Sequence, residues 1–221
     1  MSTSLWTDFQ LNTGRLIHKW SHYFPIYQQH FARFRNRPLL FMEIGCGQGG
    51  SLPMWKRFFG PHVQVLGVDI RPECKALEAD QIAVRIGSQS DPAFLDSLLA
   101  EFGPPEIALD DGSHMMSDIR ASFAHLYPHL NKDGVYMVED LHTAYWPDFE
   151  GGLHDPRSFI ELCKGLIDEL NGDWTPDGCK STAFTRETMS MHFYDSVAVF
   201  EKGRHPKPRT LASASGNVIL A

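Results

Sequence analysis

Two short acidic strings, each ending in a histidine, are the residues of this chain whose types and spacing most directly suggest chemistry. The first is residues 110–114 (DDGSH) and the second is residues 139–142 (EDLH). Four carboxylates that meet in one place repel one another, and a hard divalent cation with oxygen ligands offsets that repulsion. We therefore expect Mg²⁺ or Mn²⁺ at these strings if the fold brings them together. The alternative is that an acid in each string caps the following helix.

The histidine of the first string is a candidate general base. His114 lies three residues past Asp111, within reach of a substrate that is held on the same cation. A neutral imidazole near pH 7 can take a proton from a hydroxyl whose pKa a metal ion has lowered. His142 in the second string is the rival base. The chain has eleven histidines, so any one of them can equally be an ordinary surface or core residue.

A glycine-rich string predicts a nucleotide pocket. Residues 43–51 (EIGCGQGGS) follow an apolar run, and Asp69 lies 22 residues past Gly47, where an acid can accept hydrogen bonds from ribose hydroxyls. The polar turn at Ser88 and Gln89 can read an adenine edge. Glu43 suits an ammonium or sulfonium better than a pyrophosphate, which favours S-adenosylmethionine. A dinucleotide such as NAD(P) and a purely structural turn remain alternatives.

The elements that must position these residues follow an alternating pattern. Short apolar runs at 38–44, 63–69, 81–86, 106–110 and 134–139 alternate with helix-length segments at 51–59, 72–79, 91–103 and 115–130. This rhythm predicts a doubly wound parallel α/β sheet. A helix near 158–171 and a tight antiparallel hairpin (187–194 with 196–201) follow. We therefore predict a Rossmann-like, seven-stranded mixed sheet whose carboxyl edge brings the glycine turn and the acidic strings together.

Length, charge and cysteines bound the class of protein. The 221 residues suit a single domain, with a helical N-terminal appendage at 1–37, a core at 38–203 and a polar surface tail at 204–221. The net charge of −7 disfavours nucleic-acid and membrane-surface partners. The four cysteines lack CxxC spacing, and neither a signal sequence nor a membrane-spanning run is seen. We expect a reduced, cytoplasmic protein.

The sequence resembles the class I S-adenosylmethionine-dependent methyltransferases. More narrowly, it is similar to the metal-dependent sugar O-methyltransferases of antibiotic tailoring, such as the mycinamicin, macrocin and rhamnosyl enzymes. The motifs that carry this resemblance cover nearly the whole chain: 18–31 (HKWSHYFPIYQQHF), 43–55 (EIGCGQGGSLPMW), 67–74 (GVDIRPEC), 85–95 (RIGSQSDPAFL), 109–123 (LDDGSHMMSDIRASF), 134–146 (GVYMVEDLHTAYW) and 191–203 (MHFYDSVAVFEKG).

The resemblance implies roles for particular residues. It implies Asp111, Glu139 and Asp140 as metal ligands and His114 as the general base. Lys19, His22 and Tyr23 match an N-terminal segment that closes over the cofactor. Together with the glycine-turn argument, it gives a predicted cofactor-contacting set of Glu43, Gly45, Gly47, Gly49, Ser51, Asp69, Ser88, Gln89, Asp110 and Tyr23.

The expected activity is transfer of a methyl group to a hydroxyl of a sugar or vicinal diol in a glycosylated natural product. Tyr145, Trp146 and Phe149 either stack on that acceptor or cover the sheet edge. A catechol acceptor and a non-catalytic cofactor-binding partner are the alternatives. An NAD(P) oxidoreductase is disfavoured by Glu43 and by the lack of a Tyr-x-x-x-Lys pair after the fourth strand. The mycinamicin-type enzymes carry an additional N-terminal domain, whereas this sequence begins with a short appendage. Acceptor recognition and any homo-oligomer contacts are therefore the properties of those enzymes that are least safely assigned to this chain.

Overall fold

A seven-stranded mixed sheet organises the chain in the computed structural model, which describes residues 4–175, 180–214 and 217–220. Its strand order is β3-β2-β1-β4-β5-β7-β6, with β1–β5 parallel and β7 antiparallel to both neighbours. The predicted fold class is confirmed. The strands are Leu39–Ile44 (β1), Val63–Asp69 (β2), Ile82–Ile86 (β3), Ile107–Asp110 (β4), Val135–Val138 (β5), Thr188–Tyr194 (β6) and Val197–Lys202 (β7).

Seven α-helices accompany the sheet in the described part of the chain. They are Leu5–Gln10 (α1), Tyr23–Phe31 (α2), Ser51–Phe59 (α3), Pro92–Phe102 (α4), Met116–His129 (α5), Phe159–Leu170 (α6) and Ala183–Glu187 (α7). The signals of α4 are confirmed, because the Asp91 side chain caps its first turn, Pro92 is its first residue and Gly103 ends it. None of the helices in the described ranges has the length and apolar character needed to cross a membrane.

The central strands are buried on both faces because helices cover each side of the sheet. Alternate residues of one strand therefore enter different apolar clusters. Phe41 packs with α1, α2 and α3, whereas its neighbour Met42 packs with α4, α5 and α6. The continuous apolar runs in the sequence reflect this double coverage.

The N-terminal segment packs into the same apolar cluster as β1. Phe31 of α2 is fully buried, and its ring lies within 6.1 Å, centroid to centroid, of Phe41, Trp55 and Phe59. The close aromatic packing ties α2 to the sheet.

One local prediction differs from the structure, and one element was not predicted. The helix-length segment predicted at 72–79 forms a 3₁₀ helix at Pro72–Leu77 rather than an α-helix. Short 3₁₀ turns are common as connectors between other elements. The tail at 204–221, for which the sequence analysis predicted no secondary structure, contains an antiparallel hairpin, Leu211–Ala214 (β8) with Asn217–Leu220 (β9). Polar composition did not exclude this pairing, because strand hydrogen bonds are made by the backbone. Cys179 lies outside the described residues.

Replacing Phe31 by alanine tests whether α2 belongs to the folding core. We expect Phe31→Ala to lower the free energy of unfolding by about 3–5 kcal/mol, because it leaves a cavity among three aromatic rings. Denaturant unfolding followed by circular dichroism measures the change. Leu11→Ala, at a position that is 71% exposed, is the control and should change stability little. Equal, small effects of both variants would contradict the packing role of α2.

Candidate active site

The carboxyl ends of β1, β2, β4 and β5 form one edge of the sheet, and the predicted site residues gather there. The backbone N–H of Asp111 donates to the carbonyl of Ile44 (3.0 Å), and that of Glu139 donates to the carbonyl of Asp110 (2.9 Å). The glycine turn follows Ile44 directly. The structure therefore brings the turn and both acidic strings together, as the parallel topology predicts.

The glycine turn needs glycine at Gly45. Its φ is +84°, and a Cβ there would lie 2.0 Å from the backbone oxygen of Asp111. Gly47 also has a positive φ, but a Cβ at that position would meet nothing nearer than 4.0 Å. Gly45 thus permits the ends of β1 and β4 to pack closely, and Gly47 leaves open space beside the turn.

That space is a cavity of about 300 Å³ at the carboxyl ends of β1–β4. Five residues of the predicted cofactor set line it: Gly45, Gly47, Asp69, Ser88 and Gln89. Other residues that line the cavity include Ile70, Arg71, Ser113 and Asp118. Among the described residues, the other five members of the predicted cofactor set do not line it: Glu43, Gly49, Ser51, Asp110 and Tyr23.

Asp69 is held by its own turn. The Arg71 guanidinium donates to both of its carboxylate oxygens (3.1 and 3.2 Å), and the N–H of Gly47 donates to one of them (3.0 Å). Burial raises the pKa of Asp69, but the hydrogen bonds from Arg71 and Gly47 outweigh burial and lower it. The carboxylate is therefore an ionised acceptor. Ribose hydroxyls would share it with Arg71, a contact that the sequence analysis missed.

Gln89 reaches the cavity because a buried network anchors it. Its amide nitrogen donates to Asp110 (3.0 Å), and its amide oxygen accepts from the backbone N–H of Ser113 (2.9 Å). Asp110 also accepts from Ser122 (2.5 Å) and Tyr136 (3.0 Å). Burial raises the pKa of Asp110, and these hydrogen bonds oppose that effect. Asp110 thus lies behind the cavity wall as a support for Gln89.

Glu43 lies beneath the glycine turn. Its side chain is fully buried and accepts hydrogen bonds from the Ser51 hydroxyl (2.6 Å) and the Trp55 indole (3.2 Å). Burial raises the pKa of Glu43, although Lys19 at 3.5 Å and Ser51 lower it. The predicted contact of Glu43 with a cofactor ammonium stays a prediction, as does that of Ser51.

An ammonium group lies among the carboxylates. Lys19 Nζ is 2.6 Å from Asp111 Oδ2 and 2.8 Å from Glu139 Oε2, and the Lys19 side chain is 3% exposed. Burial lowers the pKa of Lys19, but the attraction of Asp111, Glu139 and Glu43 raises it well above its ordinary value. The cation that the sequence requires beside these acids is thus partly supplied by the chain itself.

Two tyrosines of α2 complete this contact. The Tyr23 hydroxyl donates to Asp140 Oδ1 (2.6 Å), and the Tyr27 hydroxyl donates to Glu139 Oε1. Burial raises the pKa of Glu139, and Lys19 opposes this shift. The sequence analysis did not assign Tyr27 or the contacts of Lys19. A usable signal was present, since Tyr23, Tyr27 and His30 have the i, i+4, i+7 spacing that places residues on one face of a helix.

His114, Asp111 and Asp140 form a partly exposed group next to the Lys19 contacts. Their nearest ligand-type atoms lie within 4.8 Å of one another, and His114 Nε2 is 3.6 Å from Asp140 Oδ2. His114 and Asp140 both have positive φ, 59° and 54°. Non-glycine residues held in this region cluster at functional sites, because the surrounding structure must offset the strain. The backbone thus turns both side chains toward one point.

The donor chemistry of this group fits a divalent cation. Asp111 and Asp140 offer carboxylates that are 18% and 24% exposed, and hard cations prefer such oxygen ligands. Glu139 differs, because Tyr27 and Lys19 already contact its two oxygens. Coordination of a metal by Glu139 would therefore compete with the Tyr27 hydroxyl at one oxygen or with the Lys19 ammonium at the other.

His142, the rival base, has different surroundings. Its ring stacks on Trp20 with centroids 4.6 Å apart, and the ring of Trp146 meets it edge-on at 4.8 Å. Its Nδ1 atom is buried and has no hydrogen-bond partner within the described part of the chain. Of the two histidines, His114 is the one that the structure groups with Asp111 and Asp140.

The chain is similar to known proteins, but each alignment covers only about half of the known protein. No model of a protein family matches it. The mycinamicin VI 2''-O-methyltransferase of Micromonospora griseorubida is 40% identical over 200 residues, which are 83% of this chain and 49% of that protein. The 8-demethyl-8-alpha-L-rhamnosyl tetracenomycin-C 2'-O-methyltransferase of Streptomyces olivaceus is 40% identical over 190 residues, 81% of this chain and 50% of that protein. The chain is a homologue of antibiotic sugar O-methyltransferases.

A solved homologue shares the fold. The structure of a methyltransferase from the mycinamicin biosynthetic pathway, in complex with Mg and SAH, superposes with a TM-score of 0.81 at 35% sequence identity. The match covers 92% of this chain and 54% of that one. The chain spans about half the length of the homologues it matches. Its Rossmann-like sheet is thus a class I methyltransferase fold.

Replacing Lys19 by methionine tests the carboxylate–ammonium contact. We expect Lys19→Met to lower the free energy of unfolding by about 3–5 kcal/mol in a chelator, because removing one partner leaves buried charge uncompensated. Added Mg²⁺ should restore more stability to this variant than to the parent chain. Thermal unfolding with and without Mg²⁺ measures both effects, and Lys132→Met, at an exposed position, is the control. Unchanged stability of Lys19→Met would contradict the role of the contact.

Proposed function

We propose that the protein transfers a methyl group from S-adenosylmethionine to a hydroxyl of a sugar, or of another vicinal diol, in a glycosylated small molecule. The homologues are sugar O-methyltransferases, but they extend well beyond the matched region, so the activity of this chain is an inference. The observation that carries it is the group of His114, Asp111 and Asp140 at the rim of the glycine-turn cavity.

The cavity supports S-adenosylmethionine as the methyl donor. Asp69 offers an ionised carboxylate to the ribose hydroxyls, and Gln89 and Ser88 offer amide and hydroxyl groups to the adenine. The positive-φ glycines let the backbone approach the ligand closely. A volume of about 300 Å³ lies at the lower end of the range for small-molecule sites.

Asp111, Glu139 and Asp140 are the residues that would hold Mg²⁺, and Mn²⁺ has the same ligand preference. When bound, the ion supplies positive charge that orients neighbouring hydroxyls and lowers their pKa. For this chain, the consequence is that Glu139 can act as a ligand only in competition with its present partners, Tyr27 and Lys19.

His114 would act as the general base. Its Nε2 atom takes the proton of the acceptor hydroxyl, the oxygen forms a bond to the methyl carbon, and the carbon–sulfur bond breaks. The bonding electrons remain on sulfur, so the sulfonium becomes the neutral thioether S-adenosylhomocysteine. The remaining task of the protein is to hold the oxygen, carbon and sulfur in line, which is catalysis by positioning.

The acceptor is proposed to be a small molecule. A net charge of −7 and the acidic group at the site disfavour a polyanionic acceptor such as nucleic acid. Residence in the cytoplasm and association into a homo-oligomer are further proposals that rest on the sequence alone.

Calorimetry with alternative cofactors tests the proposed cofactor class. We expect S-adenosylmethionine to bind and NAD⁺ to give no heat of binding, because the turn places a carboxylate rather than phosphate-binding groups near the first glycine. Asp69→Asn should weaken S-adenosylmethionine binding, whereas Asp91→Asn, at the cap of α4, serves as the control. Binding of NAD⁺ without binding of S-adenosylmethionine would refute the proposal.

Replacing His114 by alanine tests the base. The variant should bind S-adenosylmethionine as the parent chain does but transfer methyl groups about 10²–10⁴-fold more slowly, the usual contribution of a positioned general base. Single-turnover rates and calorimetry separate these effects. His62→Ala, at an exposed position, is the control. Near-normal turnover in His114→Ala combined with a large loss in His142→Ala would assign the base to His142 instead.

A further inference from the structure

A second group of metal-ligand side chains lies where helix α2 packs against the last two strands of the sheet. It consists of His30 of α2, His192 of β6 and Glu201 of β7, whose nearest ligand-type atoms all lie within 4.8 Å of one another. Glu201 pairs with Val135, the first residue of β5. The acids of the candidate active site, by contrast, follow the last residue of β5. The group is therefore separate from the residues assigned to the cofactor, the metal and the base.

Strand alternation places two members of this group on one face of the sheet. Val197, Val199 and Glu201 of β7 share a face, because successive side chains of a strand point to opposite sides. Both valines pack in the apolar cluster that contains α2, and Glu201 continues that face. On β6, Ser190 lies opposite Glu201, and His192 lies two residues further along the same face. A diagonal neighbour at this spacing is within reach of long side chains.

Helix α2 adds the third member from above this face. The His30 side chain is 2% exposed, and its Nδ1 atom donates to Oε1 of Glu201 (2.6 Å). Its Nε2 atom is hydrogen-bonded to the Tyr194 hydroxyl (2.9 Å). The ring of His192 meets the His30 ring edge-on, with centroids 4.8 Å apart. Two imidazoles and one carboxylate from three elements thus converge on one partly buried point.

Two of the three side chains already have the protonation state that a metal ion requires. Burial raises the pKa of Glu201, but the hydrogen bond from His30 and the charge of Arg33 outweigh burial and lower it. The carboxylate is therefore ionised. Burial and the neighbouring His30 lower the pKa of His192, so its imidazole is neutral near pH 7 and has a free lone pair. Arg33 donates to Oε2 of Glu201 (2.7 Å), which leaves Oε1 to face an ion.

We propose that His30, His192 and Glu201 bind a zinc ion that joins α2 to the β6–β7 hairpin. Two imidazoles and a carboxylate, with water in the fourth position, form a ligand set that Zn²⁺ takes in proteins, whereas Mg²⁺ prefers oxygen ligands alone. The ion displaces the proton from Nδ1 of His30. The Nε2–H of His30 then donates to the Tyr194 hydroxyl, which can act as donor or acceptor and orients the ring.

A zinc ion at this position stabilises the attachment of α2 to the sheet, whatever reaction the chain catalyses. Tyr27, one helical turn before His30, donates to Glu139 of the candidate active site, so the ion braces the helix that contacts the acids. An ion that binds only the folded chain shifts the unfolding equilibrium about 100-fold when its free concentration is 100 times its Kd. The proposal does not depend on the proposed methyl transfer.

Zinc binding by a chain that lacks the active-site histidine tests the proposal. We expect the full chain with His114→Gln to retain one equivalent of Zn²⁺ after gel filtration. Its X-ray absorption spectrum should show two imidazole ligands and no sulfur ligand. Adding His192→Gln should weaken Zn²⁺ binding at least about 100-fold, since loss of an outer partner of a ligand alone costs about 10–100-fold. Adding His129→Gln instead, at an exposed position, is the control and should leave Zn²⁺ binding unchanged.

Thermal unfolding in a chelator shows whether each variant is folded. The variants with His192→Gln and His129→Gln should then unfold at similar temperatures, and added Zn²⁺ should raise the Tm only of the second. Equal Zn²⁺ affinity in both variants, or no bound zinc in the His114→Gln chain, overturns the proposal. Sulfur ligands in the spectrum also overturn it and assign the ion to Cys46 and Cys74, which form another group with Asp69.

Discussion

The repulsion among carboxylates at one sheet edge is the interaction on which the rest of the site depends. Glu43, Asp111 and Glu139 lie within 3.5 Å of a single buried ammonium, that of Lys19. Without a cation among them, these acids would have to bind protons or move apart. The N-terminal segment supplies that cation and is therefore part of the site as well as part of the core.

This constraint explains the packing of α2. One face of the helix buries aromatic rings against β1 and α3, while Tyr23 and Tyr27 donate hydrogen bonds to Asp140 and Glu139. The apolar packing fixes the helix on the sheet, and the polar contacts set the position of the acids. A substitution that alters the apolar packing of α2 should therefore also shift its hydrogen bonds to the acids, and the reverse, because both sets of contacts belong to one short helix.

The sequence predicted those features of the site that depend on neighbouring residues in the chain, and it missed those that depend on contacts between distant segments. The alternation of apolar runs located the strands to within one or two residues, because a strand covered on both faces leaves a local signature. The same rule placed both acidic strings at one edge. It did not show that Glu43 turns under the glycine loop to Ser51 and Trp55, or that Asp110 supports Gln89. Those orientations depend on side chains from other elements that compete for the same carboxylate oxygens.

The sequence by itself determined the class of fold, the edge at which the chemistry lies and the types of residue available there. The tertiary structure decided which acid contacts which partner. Lys19 lies 92 residues from Asp111 and 120 residues from Glu139 in the chain, and no local pattern records such a contact. Local propensity and periodicity govern strands and turns, whereas charge compensation and cavity shape arise only when distant segments pack together.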